Sequence, residues 1–194
     1  MAEVTVQCYD GAAAAEKLGS FLPAYREVYV EPPYREGPED VADFTGLFAV
    51  QAGRPGFRVV LAVDGGEEVV GFAYGFRLPP DTGWWRNLLR PPSADFTAED
   101  GQRTFAVIEL AVRKPWRRQG VARRLHAALL DGLAVERVTL TVRPEPEAAP
   151  ARAAYESWGY RKLGTSQPGA CAPVYEAMVL RLRPRAADGK APTT

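Results

Sequence analysis

Apolar and polar residues follow two periods along this chain, and these periods predict its strands and helices. Segments in which apolar and polar residues alternate, or in which short apolar runs end at turn residues, predict strands. Segments with apolar residues three or four positions apart, bounded by capping residues, glycine or proline, predict helices. The predicted strands are 4–9, 59–63, 69–78, 105–113, 137–143, 160–163 and 174–182, and the predicted helices are 10–29, 38–52, 121–133 and 150–158.

The order of these elements predicts one α/β (α+β) domain with a mixed central sheet of about seven strands flanked by about four helices. A chain of 194 residues is long enough for one such domain with a sizeable core. We expect the domain to span residues 1–183 and the polar tail, residues 184–194, to be disordered. The link formed by residues 79–104 is long for a compact domain, so we expect it to be functional. We expect it to belong to the acceptor side or to a subunit contact, as a lid or an interface, and not to the cofactor site.

Charge and composition narrow the function classes. The 24 basic and 24 acidic residues cancel, so no overall field favours nucleic acid or an acidic membrane as partner. The sequence contains neither a long apolar run nor a secretory start, which favours a cytoplasmic location. Two cysteines without metal-binding spacing and a single histidine, His126, predict that no metal is bound. The excess of Arg over Lys suggests a bacterial genome rich in G and C.

The most informative stretch is residues 107–122, V-I-E-L-A-V-R-K-P-W-R-R-Q-G-V-A, which joins an apolar strand to a helix through a basic turn. The first N–H groups of a helix have no partner within it and can bind an anion. Gly120 leaves room for a phosphate to approach the backbone. Neither the nucleoside triphosphate pattern G-x-x-x-x-G-K-[ST] nor the dinucleotide pattern G-x-G-x-x-G is present. The turn therefore predicts a phosphate site of another class.

The pattern R-x-x-G-x-A at residues 117–122 resembles the pyrophosphate loop of the GNAT superfamily of acyl-CoA-dependent N-acetyltransferases, [R/Q]-x-x-G-x-[G/A]. The preceding E-L-A-V at residues 109–112 is a common form of the family's fourth strand. Residues 150–160 are similar to the family's P-A-x-x-L-Y-E-x-x-G-F ending. These motifs cover roughly residues 105–164, and the predicted order of elements over the rest of the chain is that of the family.

The resemblance implies that acetyl-CoA is the acyl donor and that it enters a sheet splayed between the strands at 105–113 and 137–143. Backbone groups of the first of these strands are expected to pair with the pantetheine arm. N–H groups of the turn are expected to hold the pyrophosphate. The residues implied in this cofactor site are Leu110, Ala111, Val112, Arg117, Arg118, Gln119, Gly120, Val121, Ala122 and Arg123.

Two residues are candidates for proton transfer. In the family, a tyrosine at the position of Tyr155 is placed to protonate the departing thiolate, and the alternative is that this ring only packs its helix on the sheet. Glu109 could deprotonate the acceptor ammonium if its side of the strand faces the cleft, and it needs a partner if that side is covered. Ala148 stands where the family often has a cofactor-contacting Asn, which is a departure from the pattern.

Aromatic residues are candidates for the acceptor side. Tyr34, Trp84 and Trp85 could bind an apolar or cationic amine by stacking or cation–π contact. The two tryptophans could equally fill a hydrophobic surface or a subunit contact. His126 lies on the helix after the basic turn, where a packing or surface role is favoured over a role as base.

These observations favour an N-acetyltransferase that moves an acetyl group from acetyl-CoA to a primary amine of a small molecule or a protein, by direct attack. The alternative is a non-catalytic module that binds acyl-CoA or regulates through it. Acetyl-CoA and an amine are the expected partners, nucleic acid and membranes are not, and a homodimer is left open. The sequence does not specify the acceptor.

Overall fold

Seven strands and six helices form the part of the chain that the computed structural model describes, residues 3–182. The strands are β1 Thr5–Asp10, β2 Arg58–Val63, β3 Val69–Arg77, β4 Thr104–Val112, β5 Arg137–Val142, β6 Arg161–Ser166 and β7 Tyr175–Arg181. The helices are α1 Gly11–Ala15, α2 Leu18–Tyr29, α3 Pro38–Ala52, α4 Ala94–Thr97, α5 Val121–Leu130 and α6 Ala149–Ser157. Within residues 3–182, no helix combines the length and apolar character needed to cross a membrane. The predicted disordered tail, residues 184–194, lies outside the described residues.

The strands form one mixed sheet in the order β1-β2-β3-β4-β5-β7-β6. Neighbouring strands are antiparallel except β4 and β5, which run parallel. These two strands pair only at their first residues, where Thr104, Phe105 and Ala106 lie opposite Arg137, Val138 and Thr139. Beyond that point the strands diverge, so the predicted splay between them is confirmed.

Helices cover both faces of the sheet, and two apolar clusters fill the layers between. On one face, α2 and α3 supply aromatic rings such as Phe21 and Phe48, which pack on Phe72 and Tyr74 of β3. On the other face, α5 and α6 pack on β4, β5 and β7. Side chains alternate between faces along a strand, so residues of β4 contribute to both clusters.

The predicted elements differ from the observed ones mainly near the N-terminus and in the long link. The predicted helix 10–29 is two helices, because the chain turns at Glu16 and Lys17 between α1 and α2. The predicted helix 121–133 ends at Leu130. The link 79–104 contains a 3₁₀ turn, Trp84–Asn87, and the short helix α4. These additions raise the predicted number of about four helices to six.

A β-bulge in β4 changes which side chains share a face. Tyr74 pairs with Glu109 and Gly75 pairs with Val107, so Ile108 has no partner on β3. Only glycine fits at position 75, because a Cβ there would clash with the carbonyl oxygen of Ala106. The extra residue bends β4 at the place where it leaves β5, and both Ile108 and Glu109 lie toward the α2–α3 face.

Candidate active site

The gap between β4 and β5 exposes one edge of β4. The N–H of Arg113 bonds to the carbonyl oxygen of Val70 on β3, at 2.9 Å. Because backbone groups of successive residues point to opposite sides of a strand, those of Val112 and Leu110 face the gap. The carbonyl oxygen of Val112 accepts a bond from the Arg117 side chain at 2.9 Å, which agrees with this direction. Along the gap, β4 therefore has backbone N–H and carbonyl groups that make no hydrogen bonds to β5.

The basic turn leads from the end of β4 to the N-terminus of α5. Gly120 is the N-cap residue and has the left-handed conformation, with φ 80°, and Arg118 also has a positive φ of 64°. The first helical bond runs from the N–H of Arg124 to the carbonyl of Gly120. The N–H groups of residues 121–123 therefore have no partner within the helix and carry the positive end of its dipole.

The conformation of Gly120 adds a second reason for glycine to the room for a phosphate that we expected. A Cβ added there would meet no protein atom within 4 Å, so crowding within the chain does not select glycine. Its left-handed conformation does, because it costs other residues about 1–2 kcal/mol. The open space beside it is where a phosphate could approach.

The basic side chains of the turn divide into two groups. Arg117 forms an ion pair with Glu31 at 2.7 Å, and Arg124 donates to the carbonyl of Val4 at the same distance. Gln119 donates to the carbonyl of Pro115. Arg118 and Arg123 are exposed, as expected for cations that face a ligand from solvent. Of the three arginines predicted for the cofactor site, Arg117 is thus paired with Glu31, just beyond the end of α2.

Glu109 lies on the α2–α3 face, beside the gap, and its carboxylate accepts a short hydrogen bond from the hydroxyl of Tyr29 on α2. Burial is the main cause that raises the pKa of Glu109 to about 8, and the charge of Glu36 adds to this increase. The hydrogen bond from Tyr29 acts in the opposite direction and lowers the pKa. The carboxyl group therefore changes its charge close to neutral pH. The sequence left open whether this side of β4 faces a cleft or a helix, and the structure places α2 beside it with a groove alongside.

A groove of about 610 Å³ runs from Glu109 along α3. Besides Glu109, three acidic side chains and several apolar ones line it, among them Glu36, Asp40, Asp43, Phe44, Leu47 and Val50. The hydroxyl of Tyr25 donates to Glu36 at 2.6 Å, which fixes one wall. Burial raises the pKa of Glu36 above its usual range. The groove can therefore receive a cation that has apolar groups beside it.

Tyr34 and Tyr155 lie close enough to Glu109 for its charge to act on both. Tyr34 packs on Tyr29 with ring centroids 4.7 Å apart, and burial and Glu109 raise its pKa to about 12. Tyr155, on α6, is buried, and burial, Tyr34 and Glu109 together raise its pKa above the usual value. Within residues 3–182, its hydroxyl has no hydrogen-bond partner. The structure brings the two predicted proton-transfer residues, and Tyr34, into one neighbourhood.

The two tryptophans of the link occupy different places. Trp85 is only 3% exposed, and its indole N–H donates to Glu99 at 2.8 Å. The ring is inside the protein, which favours the alternative that Trp85 fills a hydrophobic site over contact with an acceptor. Trp84 is half-buried, and its indole N–H donates to Thr139 at 3.2 Å, at the point where β4 and β5 separate.

The single histidine of the chain has a packing role, as we expected. His126 is buried on α5, stacks near Trp158, and bonds to the hydroxyl of Tyr160 at 2.8 Å. Burial lowers its pKa to about 4. Both cysteines, Cys8 and Cys171, are exposed and are not among its contacts. Among residues 3–182, the histidine therefore bonds to the Tyr160 hydroxyl and activates no cysteine or serine nucleophile.

Sequence reasoning missed three residues that organise the site. Tyr29 holds Glu109, Tyr25 holds Glu36, and Glu31 holds Arg117. A signal was available for the tyrosines, because Tyr25 and Tyr29 are four residues apart and therefore share a helix face. Which carboxylates the two hydroxyl groups meet depends on the packing of α2 against the sheet and against the segment before α3.

A family model described as the Acetyltransferase (GNAT) family matches residues 20–160. Among proteins with curated descriptions, none matches this sequence.

Solved structures resemble the whole chain. The ribosomal-protein-S18-alanine N-acetyltransferase of Escherichia coli has a TM-score of 0.60 and 18% identity, covering 99% of this chain and 100% of that one. A GNAT superfamily phosphinothricin acetyltransferase of Sinorhizobium meliloti, solved with acetyl-CoA, has a TM-score of 0.60 and 19% identity, covering 92% of this chain and 89% of that one. An acetyltransferase of Thermus thermophilus has a TM-score of 0.58 and 16% identity, covering 94% of this chain and 100% of that one. At these identities the likeness concerns the fold.

Proposed function

This chain belongs to the GNAT family of acetyltransferases, and from that premise we propose that it transfers the acetyl group of acetyl-CoA to a primary amine by direct attack. The observation that carries the proposal is the arrangement around the gap. The N-terminus of α5, with N–H groups that have no partner in the helix, lies at one end of the free edge of β4, and that edge leads to a buried carboxyl group with a buried phenol nearby.

The donor would lie in the gap with its pyrophosphate at the turn. The N–H groups of residues 121–123 and the side chains of Arg118 and Arg123 are suited to the negative charge. The backbone groups of Leu110 and the N–H of Val112 can pair with the amide groups of the pantetheine arm, as an added strand would. In the attack itself, one of these N–H groups can stabilise the oxyanion of the tetrahedral intermediate.

Glu109 is the proposed general base. An acceptor amine arrives as an ammonium and must lose a proton before its nitrogen can form a bond to the thioester carbon. A carboxyl group with a pKa of about 8 accepts a proton more readily than an exposed carboxylate does. The hydroxyl of Tyr29 keeps the carboxylate in place, and the acidic groove favours the approach of a cation.

Tyr155 is the proposed general acid. When the C–S bond breaks, the electron pair goes to sulfur, and the thiolate needs a proton. Burial and the nearby charge of Glu109 keep the phenol protonated, and its hydroxyl has no other partner among the described residues. Burial in the gap also raises the pKa of a thiolate, which favours the transfer.

Release of free thiol from acetyl-CoA, measured over a panel of primary amines, tests the proposal. The panel should include mono- and diamines and peptides with a free N-terminus. We expect turnover with at least one amine and a strong loss of turnover in Glu109→Gln, with the amide product identified by mass. The exposed Glu39→Gln on α3 serves as a matched control, because it lies outside the groove lining.

Binding measured by calorimetry separates the proposal from its alternative. Tight binding of acetyl-CoA with no thiol release for any amine would contradict catalysis and favour a non-catalytic acyl-CoA module. Failure to bind acetyl-CoA at all would contradict both functions.

A further inference from the structure

Trp84 lies at the narrow end of the gap. Thr139 and Ala106 are the last residues at which β4 and β5 pair, and the indole N–H of Trp84 donates to the Thr139 hydroxyl at 3.2 Å. That hydroxyl in turn donates to the carbonyl of Met178 on β7 at 3.1 Å. Ile108, the unpaired bulge residue, packs in the same apolar cluster as Trp84. The indole therefore covers the point where the two strands separate.

Hydrogen bonds and a buried ion pair anchor the segment that carries Trp84 to the sheet. The adjacent Trp85 donates to Glu99, and Glu99 forms an ion pair with Arg137 at 2.8 Å. The side chain of Glu99 is fully buried and that of Arg137 is 5% exposed. The backbone N–H of Leu89 also bonds to the carbonyl of Thr165 on β6. The segment on either side of Trp84 is therefore anchored, which fixes the position of this side chain.

The direction of the gap determines which part of a bound acyl-CoA would lie next to Trp84. The basic turn follows the last residue of β4, at the wide end of the gap. The gap is narrow at the first residues of β4, where this strand pairs with β5. A donor with its pyrophosphate at the turn would extend its arm past Val112 and Leu110 toward Glu109. The acyl chain beyond the thioester would then point to the narrow end, where the Trp84 indole bonds to Thr139.

We propose that Trp84 closes the acyl end of the gap and restricts the donor to a short acyl group such as acetyl. The inference rests on the proposed function and concerns its donor specificity. The reaction is the same for any acyl length: the acceptor nitrogen bonds to the carbonyl carbon, the C–S bond breaks, and the thiolate takes a proton. A smaller side chain at position 84 would open space for further methylene groups, and a methylene that finds a pocket changes specificity by roughly 10- to 200-fold.

The test compares acetyl-, propionyl- and butyryl-CoA as donors for the parent protein, Trp84→Ala and Trp84→Phe. We expect the parent to prefer acetyl-CoA. In Trp84→Ala, the ratio of kcat/KM for butyryl-CoA to that for acetyl-CoA should rise by roughly tenfold or more. Trp84→Phe, which keeps a ring but is smaller, should show a lesser rise, mainly for propionyl-CoA. Leu89→Ala is the matched control, because Leu89 is in the same segment and 59% exposed.

Affinities of the three acyl-CoA compounds, measured by calorimetry, give a second readout that needs no acceptor. The ratio of butyryl-CoA to acetyl-CoA affinity should rise in the Trp84 variants and stay constant in Leu89→Ala. An unchanged ratio in folded Trp84→Ala and Trp84→Phe, or a parent that uses butyryl-CoA as well as acetyl-CoA, would overturn the inference while leaving the proposed function intact. A parent that binds no acyl-CoA would overturn both.

Discussion

The carboxyl group of Glu109 is held between two opposing influences. Burial favours its neutral form, and the hydroxyl of Tyr29 favours the charged one, with burial the stronger. The nearby tyrosines, Tyr34 and Tyr155, respond to its charge by holding their protons more firmly. A change of one proton at Glu109 therefore alters the electrostatics of the whole neighbourhood.

The pH dependence of turnover follows from this pKa. A general base works only when deprotonated, so kcat/KM of the parent should rise with pH and level off above about pH 8. Glu109→Gln should lose most of its activity together with this rise. A pH profile of both proteins is the measurement, and a parent profile that is flat across about pH 7 to 9 would contradict the assignment.

The free energy of unfolding should fall with rising pH because of the same carboxyl group, whereas turnover should rise. The pKa of Glu109 is raised on folding, so its contribution to stability is complete at low pH and is lost as pH rises through about 8. Glu109→Gln removes this loss. Thermal unfolding should therefore show the Tm of the variant gaining on that of the parent between about pH 5 and pH 9. A constant difference in Tm would mean that the carboxyl group is not shielded from water.

Removing the hydroxyl of Tyr155 should affect chemistry rather than binding. Tyr155→Phe keeps the ring that packs near Trp158 and Tyr160. We expect kcat to fall by roughly a hundredfold or more, the usual loss of a general acid, with acetyl-CoA affinity nearly unchanged. Steady-state kinetics and calorimetry measure the two quantities. If the variant turned over as fast as the parent, solvent would be the proton donor and Tyr155 a packing residue.

At the scale of elements, the end of α2 joins the acceptor side to the phosphate turn. Two residues of the helix and one just beyond its end make the contacts: Glu27 pairs with Arg113, Tyr29 bonds to Glu109, and Glu31 pairs with Arg117. The helix thereby fixes the base and the basic turn relative to each other. Charged partners alone, which are partly exposed, would stabilise this contact only weakly, so the buried tyrosine is the central member.

The N-terminus of α5 can be tested with two substitutions at one position. Gly120→Glu and Gly120→Ala share the cost of a left-handed residue, since φ is 80°. Only the glutamate adds a negative charge where the helix dipole is positive. We expect Gly120→Glu to abolish acetyl-CoA binding and Gly120→Ala to weaken it much less. Calorimetry with both variants, after circular dichroism confirms their folding, is the measurement, and equal affinities would show that no phosphate binds at this turn.

At the scale of the whole molecule, the link between β3 and β4 is an integral part of the fold. Its helix α4 and 3₁₀ turn pack Trp85 and Phe96 around the buried Arg137 of β5, whose guanidinium carbon lies 4.2 Å from the centre of the Phe96 ring. A hydrogen bond from Arg137 to Thr104 ties the first residues of β4 and β5 together. The narrow end of the gap is therefore closed by the same contacts that anchor the link.

Loss of the buried ion pair should destabilise the protein strongly. Glu99→Ala leaves Arg137 buried without its carboxylate, and such a change lowers the free energy of unfolding by about 3–5 kcal/mol. Glu136→Ala is the matched control, because Glu136 pairs with Arg103 but is 65% exposed, and it should cost about 1 kcal/mol at most. Denaturant unfolding measures both. Similar losses for the two variants would mean that the link is loosely attached.

Much of this architecture could be predicted because it depends on local patterns. Alternation and helical spacing gave all seven strands and the main helices, with ends that differ by a few residues. The turn at residues 117–122 and the position of Tyr155 were also local, since each is a short motif, and the membership of the family is confirmed. A sheet splayed between β4 and β5 was expected from the resemblance, and the structure places the end of their pairing after Ala106.

The tertiary structure decided what the side chains meet. The bulge at Ile108 and the packing of α2 put Glu109 against Tyr29, and neither follows from the period of β4. The adjacent residues Trp84 and Trp85 look alike in the sequence. Trp84 lies at the narrow end of the gap, whereas Trp85 is buried and donates to Glu99 of the buried ion pair. A sequence pattern specifies an element because neighbours along the chain determine it. The partner, burial and pKa of a side chain depend on residues far apart in the chain, which only the folded packing brings together.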